Sequence, residues 1–153
     1  MIFAYFAIGV ATILKNGTTL FASPGILPRL TTFLSTNSAE TDQNSLFPEL
    51  KPRQYSFNQE ILNHDDVIER IKSSALRLGY ELDEDNSTSM DLKFTITTKF
   101  LKFIDDLSIQ AEINQQSLII NAKSSSRKGR ADFGANIANI RRLFEILDQE
   151  FKS

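Results

Sequence analysis

Cysteine is absent from the 153-residue chain, which removes disulfides, thiolate nucleophiles, iron–sulfur ligation and cysteine zinc sites together and leaves the redox compartment undetermined. Histidine occurs once, as His64. A multi-histidine metal centre is thereby excluded, and any serine–histidine relay would have to run through that one residue. His64 stands in NHDD, where a helical pattern begins, and reads as a solvated residue beside an N-cap. Tryptophan is also missing, while phenylalanine occurs twelve times; these aromatics fall on apolar stripes, which suits core filling before base stacking. Neither sign of charge dominates. With 17 Lys and Arg against 19 Asp and Glu, the formal charge is -2. Nucleic acid, whose phosphates reward a strongly basic surface, is not an expected partner, so any anion site must be local.

A chain of this length encloses one core, and a single domain with appendages is the default. Its first stretch, IFAYFAIGVATIL, carries no charge over residues 2–14. Thirteen residues fall short of the ~20 that a helix needs to cross a bilayer, although the run reaches that length if residues 15–21 are included. No positive charge precedes it, which places a secretory signal second. Ile2, Phe3, Tyr5, Phe6, Ile8, Val10, Ile13 and Leu14 are the residues expected to contact a membrane or a larger complex. Pro24, Gly25 and Pro28 then break any regular element. Residues 1–30 therefore read as a hydrophobic anchor with a broken connector. Residues 31–54, with STNSAETDQNS and FPELKPRQ, read as an extended linker.

The compact domain is expected over residues 55–153. Val67, Ile68, Ile71, Ala75 and Leu78 form one helical stripe that starts at Asp65 or Asp66 and stops at Gly79. Tyr80 and Leu82 suggest a short strand before an acidic turn. Leu92, Phe94 and Ile96 alternate with polar residues, as do Leu107, Ile109, Ala111 and Ile113, and Leu118, Ile120 and Ala122; a register change is expected between Phe103 and Asp106. NQQS joins the last two runs as a hairpin loop. From about Asn136, the residues Ile137, Ile140, Phe144, Leu147 and Phe151 recur at helical spacing, with Asn136 or Asp132 as N-cap. The fold class implied is α+β, an antiparallel meander covered on one face by two amphipathic helices.

Two phrases carry a resemblance. FLKFIDDLSI, with Phe103, Ile104, Asp105, Asp106 and Leu107, and SSSRKGRADFGAN, with Ser126, Arg127, Gly129, Asp132, Gly134 and Asn136, resemble the paired signature of the domain-of-unknown-function family fourteen ninety-nine. The resemblance extends from Phe33 to Glu150. It implies no assigned biochemical role. Members occur in proteobacteria, cyanobacteria and photosynthetic eukaryotes, often behind a hydrophobic N-terminal segment, so the resemblance implies a membrane location and points to the plastid thylakoid.

The glycine-hinged loop places Lys123, Arg127, Lys128 and Arg130 beside three serines at a helix start. Such a setting cradles a phosphate, a sulfate or an anionic headgroup; equally, Arg127 can pair with Asp105, Asp106 or Asp132 and tie loop to hairpin. Ser126, Arg127, Lys128, Gly129, Arg130, Asp132, Asn136, Asp105 and Asp106 are accordingly the candidate residues for anion binding or for a structural tie. On a regular strand Asp105 and Asp106 face opposite sides and cannot share a substrate. The acidic residues from Glu81 to Asp91 lack the spacing of a calcium loop and read as a solvated run. No cofactor, metal or catalytic set is expected. The leading expectation is a non-catalytic, membrane-tethered accessory subunit, docked on a membrane complex or lipid bilayer, with a photosynthetic complex as the candidate. Its alternatives are a module binding an anionic small molecule or lipid headgroup at residues 124–136, and a hydrolase using Asp105, Asp106 or Asp132.

Overall fold

A computed structural model describes residues 22–57, 63–86, 90–98, 102–114 and 116–152. The elements run α1 (Ile26–Ser35), β1 (Ser38–Glu40), a 3-10 turn (Pro48–Leu50), β2 (Arg53–Ser56), α2 (His64–Arg77), β3 (Glu81–Asn86), β4 (Asp91–Thr97), β5 (Ile104–Asn114), β6 (Ser117–Ser126) and α3 (Ala135–Phe151). All strand pairings are antiparallel, in the order β1-β6-β5-β4-β3, with β2 also on β6. The α+β class is thus observed, an antiparallel sheet packed against helices.

Period-two alternation produces the sheet's two different faces. Leu92, Phe94 and Ile96 of β4, Leu107, Ile109 and Ala111 of β5, and Leu118, Ile120 and Ala122 of β6 are all buried. Between them, residues such as Lys93, Gln110, Glu112 and Lys123 point to solvent. The buried face meets α3, whose Ile137, Ile140, Leu143, Phe144, Leu147 and Phe151 form the facing stripe, and Val67, Ile68, Ile71 and Ala75 of α2 complete the core. Burying a side chain of this size contributes roughly 1.5–3 kcal/mol, so this double layer supplies most of the drive to fold.

Helix α2 starts where its pattern implies, but its cap is Asn63, whose side chain accepts from the Asp65 amide at 3.0 Å. His64 is the first helical residue and lies 3.5 Å from Asp65. The turn between β4 and β5 closes through Thr98 N donating to Phe103 O at 2.9 Å, just before β5 begins. The register irregularity instead falls in β3, between Leu82 and Glu84.

The segment expected as an extended linker differs most from its pattern. Residues 26–35 are helical although Pro28 lies among them. Proline is tolerated there because the first helical amides have no intrahelical acceptor. Phe33, Ala39 and Leu50 join the core. Arg29, fully buried, forks onto Glu49 at 2.9 and 3.1 Å and lies over the Phe47 ring, which pins α1 to the 3-10 turn.

The membrane reading is corrected. Among the described residues no helix is long and apolar enough to cross a membrane. The tethered accessory subunit, its membrane-complex or bilayer partner, and the thylakoid location all required such a tether and are not retained. Ile2, Phe3, Tyr5, Phe6, Ile8, Val10, Ile13 and Leu14, on which that reading stood, lie outside the described residues.

Candidate functional site

At the end of the sheet where β6 runs out, polar residues replace the apolar alternation on the inner face. Asp105 sits opposite Ser126 in the β5–β6 ladder, and Ser124 sits opposite Leu107. Asp105 is only 2% exposed and Ser124 is fully buried. From the other layer, Asn136 and Asn139 on the first turns of α3 descend onto them, both buried. A polar group taken out of water without a partner costs roughly 1–3 kcal/mol, so this cluster is tolerable only if its members satisfy each other.

They do. Ser126 Oγ donates to Asp105 Oδ1 at 2.6 Å, and Asn139 Nδ2 donates to Asp105 Oδ2 at 3.0 Å. Ser124 Oγ donates to Asn136 Oδ1 at 2.6 Å and accepts from Asn139 Nδ2 at 3.3 Å. The amide nitrogen of Asn136 faces Asn37 O at 2.8 Å, Ser126 Oγ at 3.1 Å and an Asp132 carboxylate oxygen. Asn136 therefore bonds through both its amide oxygen and its amide nitrogen inside the fold. Tyr80, buried beside it, donates its hydroxyl to Asn139 O at 3.2 Å. Burial raises the Tyr80 phenol to about 12.

Asn136 is not the N-cap. Gly134 is the capping residue, in a left-handed conformation with φ of 80°, and the helix begins at Ala135. Asp132 supplies the acceptors instead: its Oδ1 takes the Gly134 amide at 2.8 Å and its Oδ2 the Asn136 amide at 3.1 Å. Burial pushes the Asp132 carboxyl above its ordinary range, against the lowering effect of these bonds, and the nearby Asp105 adds to the rise. Gly134 is required on two counts. Its positive φ strains other residues, and a Cβ there would meet the Phe33 ring at 3.1 Å.

The loop between β6 and α3 is stitched to the N-terminal elements on its other side. Ser126 N donates to Asn37 O at 2.9 Å, Asp132 N to Thr36 O at 2.9 Å, Phe133 N to Phe33 O at 3.1 Å, and Asn37 Nδ2 to Gly129 O at 3.0 Å. One short stretch thereby fastens β5, β6, α1, β1 and α3 together.

The expected anion cradle is largely filled from within. The helix start that would attract an anion through its free amides and dipole already holds the carboxylate of Asp132. Lys123 pairs with Glu40 at 2.9 Å. Arg127 lies 2.7 Å from Asp106, whose hydrogen bond and charge raise its pKa, and it also reaches Thr95 at 3.3 Å. Lys128 and Arg130 are exposed and have no carboxylate partner among the described residues.

The hydrolase alternative is corrected by the same geometry. Asp105 points into the core and Asp106 to the outer face, where Arg127 holds it. Asp132 serves the helix start, so the three carboxylates do not line one opening. Among the described residues no group of three or more His, Cys, Asp or Glu is arranged to hold a metal.

The two paired phrases come together here as one structure, joined by Asn37, Tyr80 and Asn139. The profile of the family described as "Protein of unknown function (DUF1499)" matches residues 29–147. The chain belongs to the DUF1499 family. No curated protein matches it. The match begins at Arg29 and so takes in most of α1, with β1 and Asn37, along with the signature phrases.

Sequence reasoning found Asp105, Ser126, Asp132 and Asn136 but passed over Asn37, Asn139 and Tyr80. Asn139 was legible as a polar residue within an apolar helical stripe, three residues after Asn136 and four before Leu143. Asn37 offered no such signal, since its partners Asn136 and Gly129 lie 99 and 92 residues away.

Proposed function

We propose that this DUF1499 chain is a non-catalytic binding module that receives an anionic group on the loop between β6 and α3. The candidate residues divide into two sets. Asp105, Ser126, Asp132 and Asn136 hold the loop, while Arg127 pairs with Asp106 on the exposed outer face; Lys128, Gly129 and Arg130 form its presented tip. The observation that carries the reading is that the tip is cationic, has no carboxylate partner among the described residues, and sits on a backbone tied down from both flanks. A loop held in this way loses little conformational freedom when it binds, which is where flexible basic segments forfeit affinity.

Two exposed cations bind a lone inorganic anion weakly. Each contributes on the order of 0.2–1 kcal/mol, which together sets dissociation at about 30 mM or above. Titration of the full chain with sodium phosphate, against sodium chloride at matched ionic strength, is the test, read from backbone amide shifts. Selective shifts at Lys128, Gly129 and Arg130, abolished by the double substitution Lys128→Ala with Arg130→Ala, are expected. Identical shifts with chloride, or shifts that survive the double substitution, would refute it.

A further inference from the structure

The cationic tip has an apolar neighbour. The β5–β6 ladder pairs Asp105 with Ser126, and Arg127 N donating to Ile104 O at 3.0 Å carries it one residue further. β6 ends at Ser126, so Lys128 follows it at the same end of the sheet as Phe103, which precedes β5. Phe103 is 51% exposed and Ile104 is 37% exposed. Lys102, exposed and held at φ of 52°, completes the edge. Like Lys128 and Arg130, it has no carboxylate partner among the described residues. Phe103 and Ile104 are thus large apolar side chains left in water at the one end of the sheet where the unpaired cations gather.

We infer that this end of the sheet is a docking surface for an acidic peptide segment carrying a large apolar side chain, which rests on Phe103 while its carboxylates face Lys102, Lys128 and Arg130. The inference builds on the anionic-group reading above and names the partner class. Charge complementarity selects the occupant. The chain is net negative, at -2, so a local cationic rim is matched by a short acidic stretch rather than by a long polyanion. A nucleic acid strand extending past the rim would meet the carboxylates of Glu81 and Asp83 on the edge strand; Asp83 already acts on Arg127 through space. A peptide with a few carboxylates stops short of that edge. Its aromatic or aliphatic side chain also covers exposed Phe103, which phosphate alone leaves wet.

The experiment uses the full chain and three probes: inorganic phosphate, a short acetylated peptide with one phenylalanine between acidic residues, and the same peptide with alanine in that place. The phenylalanine peptide is expected to bind about fivefold more tightly than the alanine peptide, an advantage of the size that partly covering one apolar side chain gives. Phe103→Ser should erase that advantage while leaving the phosphate response of Lys128 and Arg130 intact. Lys128→Ala with Arg130→Ala should weaken all three probes. Phe103, Lys128 and Arg130 are exposed, so thermal melting of the variants should match the wild type, and circular dichroism confirms it. If the two peptides bind equally while phosphate still shifts the tip, the peptide-docking inference falls and the anionic-group reading stands. If neither phosphate nor peptide shifts the tip, both fall. Retention on phosphatidylserine vesicles without a peptide response would also overturn the inference.

Discussion

Asp132 lies under two opposed influences, and their balance sets a pH dependence with a definite sign. Three donors on the start of α3 favour the carboxylate, while burial and the charge of Asp105 disfavour it, and burial prevails. A carboxyl whose folded pKa is raised binds its proton more tightly in the folded than in the unfolded chain. The stability it contributes is therefore fullest below the ordinary aspartate range and falls as pH rises through the folded value. Asp132→Asn removes that titration. It also turns an amide toward groups that are themselves donors, the Gly134 and Asn136 amides and Asn136 Nδ2. The variant should be less stable by about 1–3 kcal/mol, the cost of leaving buried donors unpaired. The gap between wild type and variant should shrink as pH rises from about 4 toward 6. Urea melts at a series of pH values measure both effects. A gap that widens over the same interval would show that the hydrogen bonds, and not burial, govern Asp132.

Elements, unlike single residues, differ in how far their neighbours in sequence determine them. Strands β4, β5 and β6 and helices α2 and α3 bury side chains at the spacing their own geometry dictates, so periodicity was enough to place them. Helix α1 and strand β1 were not legible in this way. STNSAETDQNS carries no apolar period, and β1 exists because Ser38, Ala39 and Glu40 pair with Ser125, Ser124 and Lys123, a contact visible only in three dimensions. The site divides along the same line. Paired phrases located Asp105, Ser126, Asp132 and Asn136, whereas the inward turn of Asn136 could not be read, because asparagine at a helix start is ordinarily a cap. That inward turn makes a distinctive prediction. Asn136→Ala should destabilise the fold by about 2–4 kcal/mol, since Asn37 O, Ser124 and Asp132 each lose a buried partner at once. In native-state hydrogen exchange, the amides of Ser126 and Asp132, which donate to Asn37 and Thr36, should lose protection before those in the centre of β5. Arg127→Ala, on the exposed outer face, should leave both readouts nearly unchanged.

At the scale of the whole molecule, the question is whether the N-terminal elements belong to the same cooperative unit as the sheet. Their composition favours an accessory segment that could detach. Their contacts favour one unit. Phe33 is fully buried, belongs to the same apolar cluster as Leu107, Leu118 and Phe144, and packs its ring against Gly134 at the start of α3. Arg29 and Glu49 close a second tie, and breaking one partner of so buried a pair is expensive. A detachable segment would melt in a separate, earlier step, whereas an integrated one loses stability globally when its core residue is truncated. Phe33→Ala should therefore cost about 3–5 kcal/mol of global stability, the range for removing a buried aromatic ring. Denaturation followed by helical circular dichroism and by tyrosine fluorescence should give coincident transitions in wild type and variant alike, as one cooperative unit requires. Tyr55 on β2 reports the second signal well, because its hydroxyl bonds to Asp148 on α3 at 2.9 Å and its ring lies 5.2 Å from Phe151. Separation of the two curves in the variant would mean that α1 and β1 are a docked segment, held to the sheet but not part of its core.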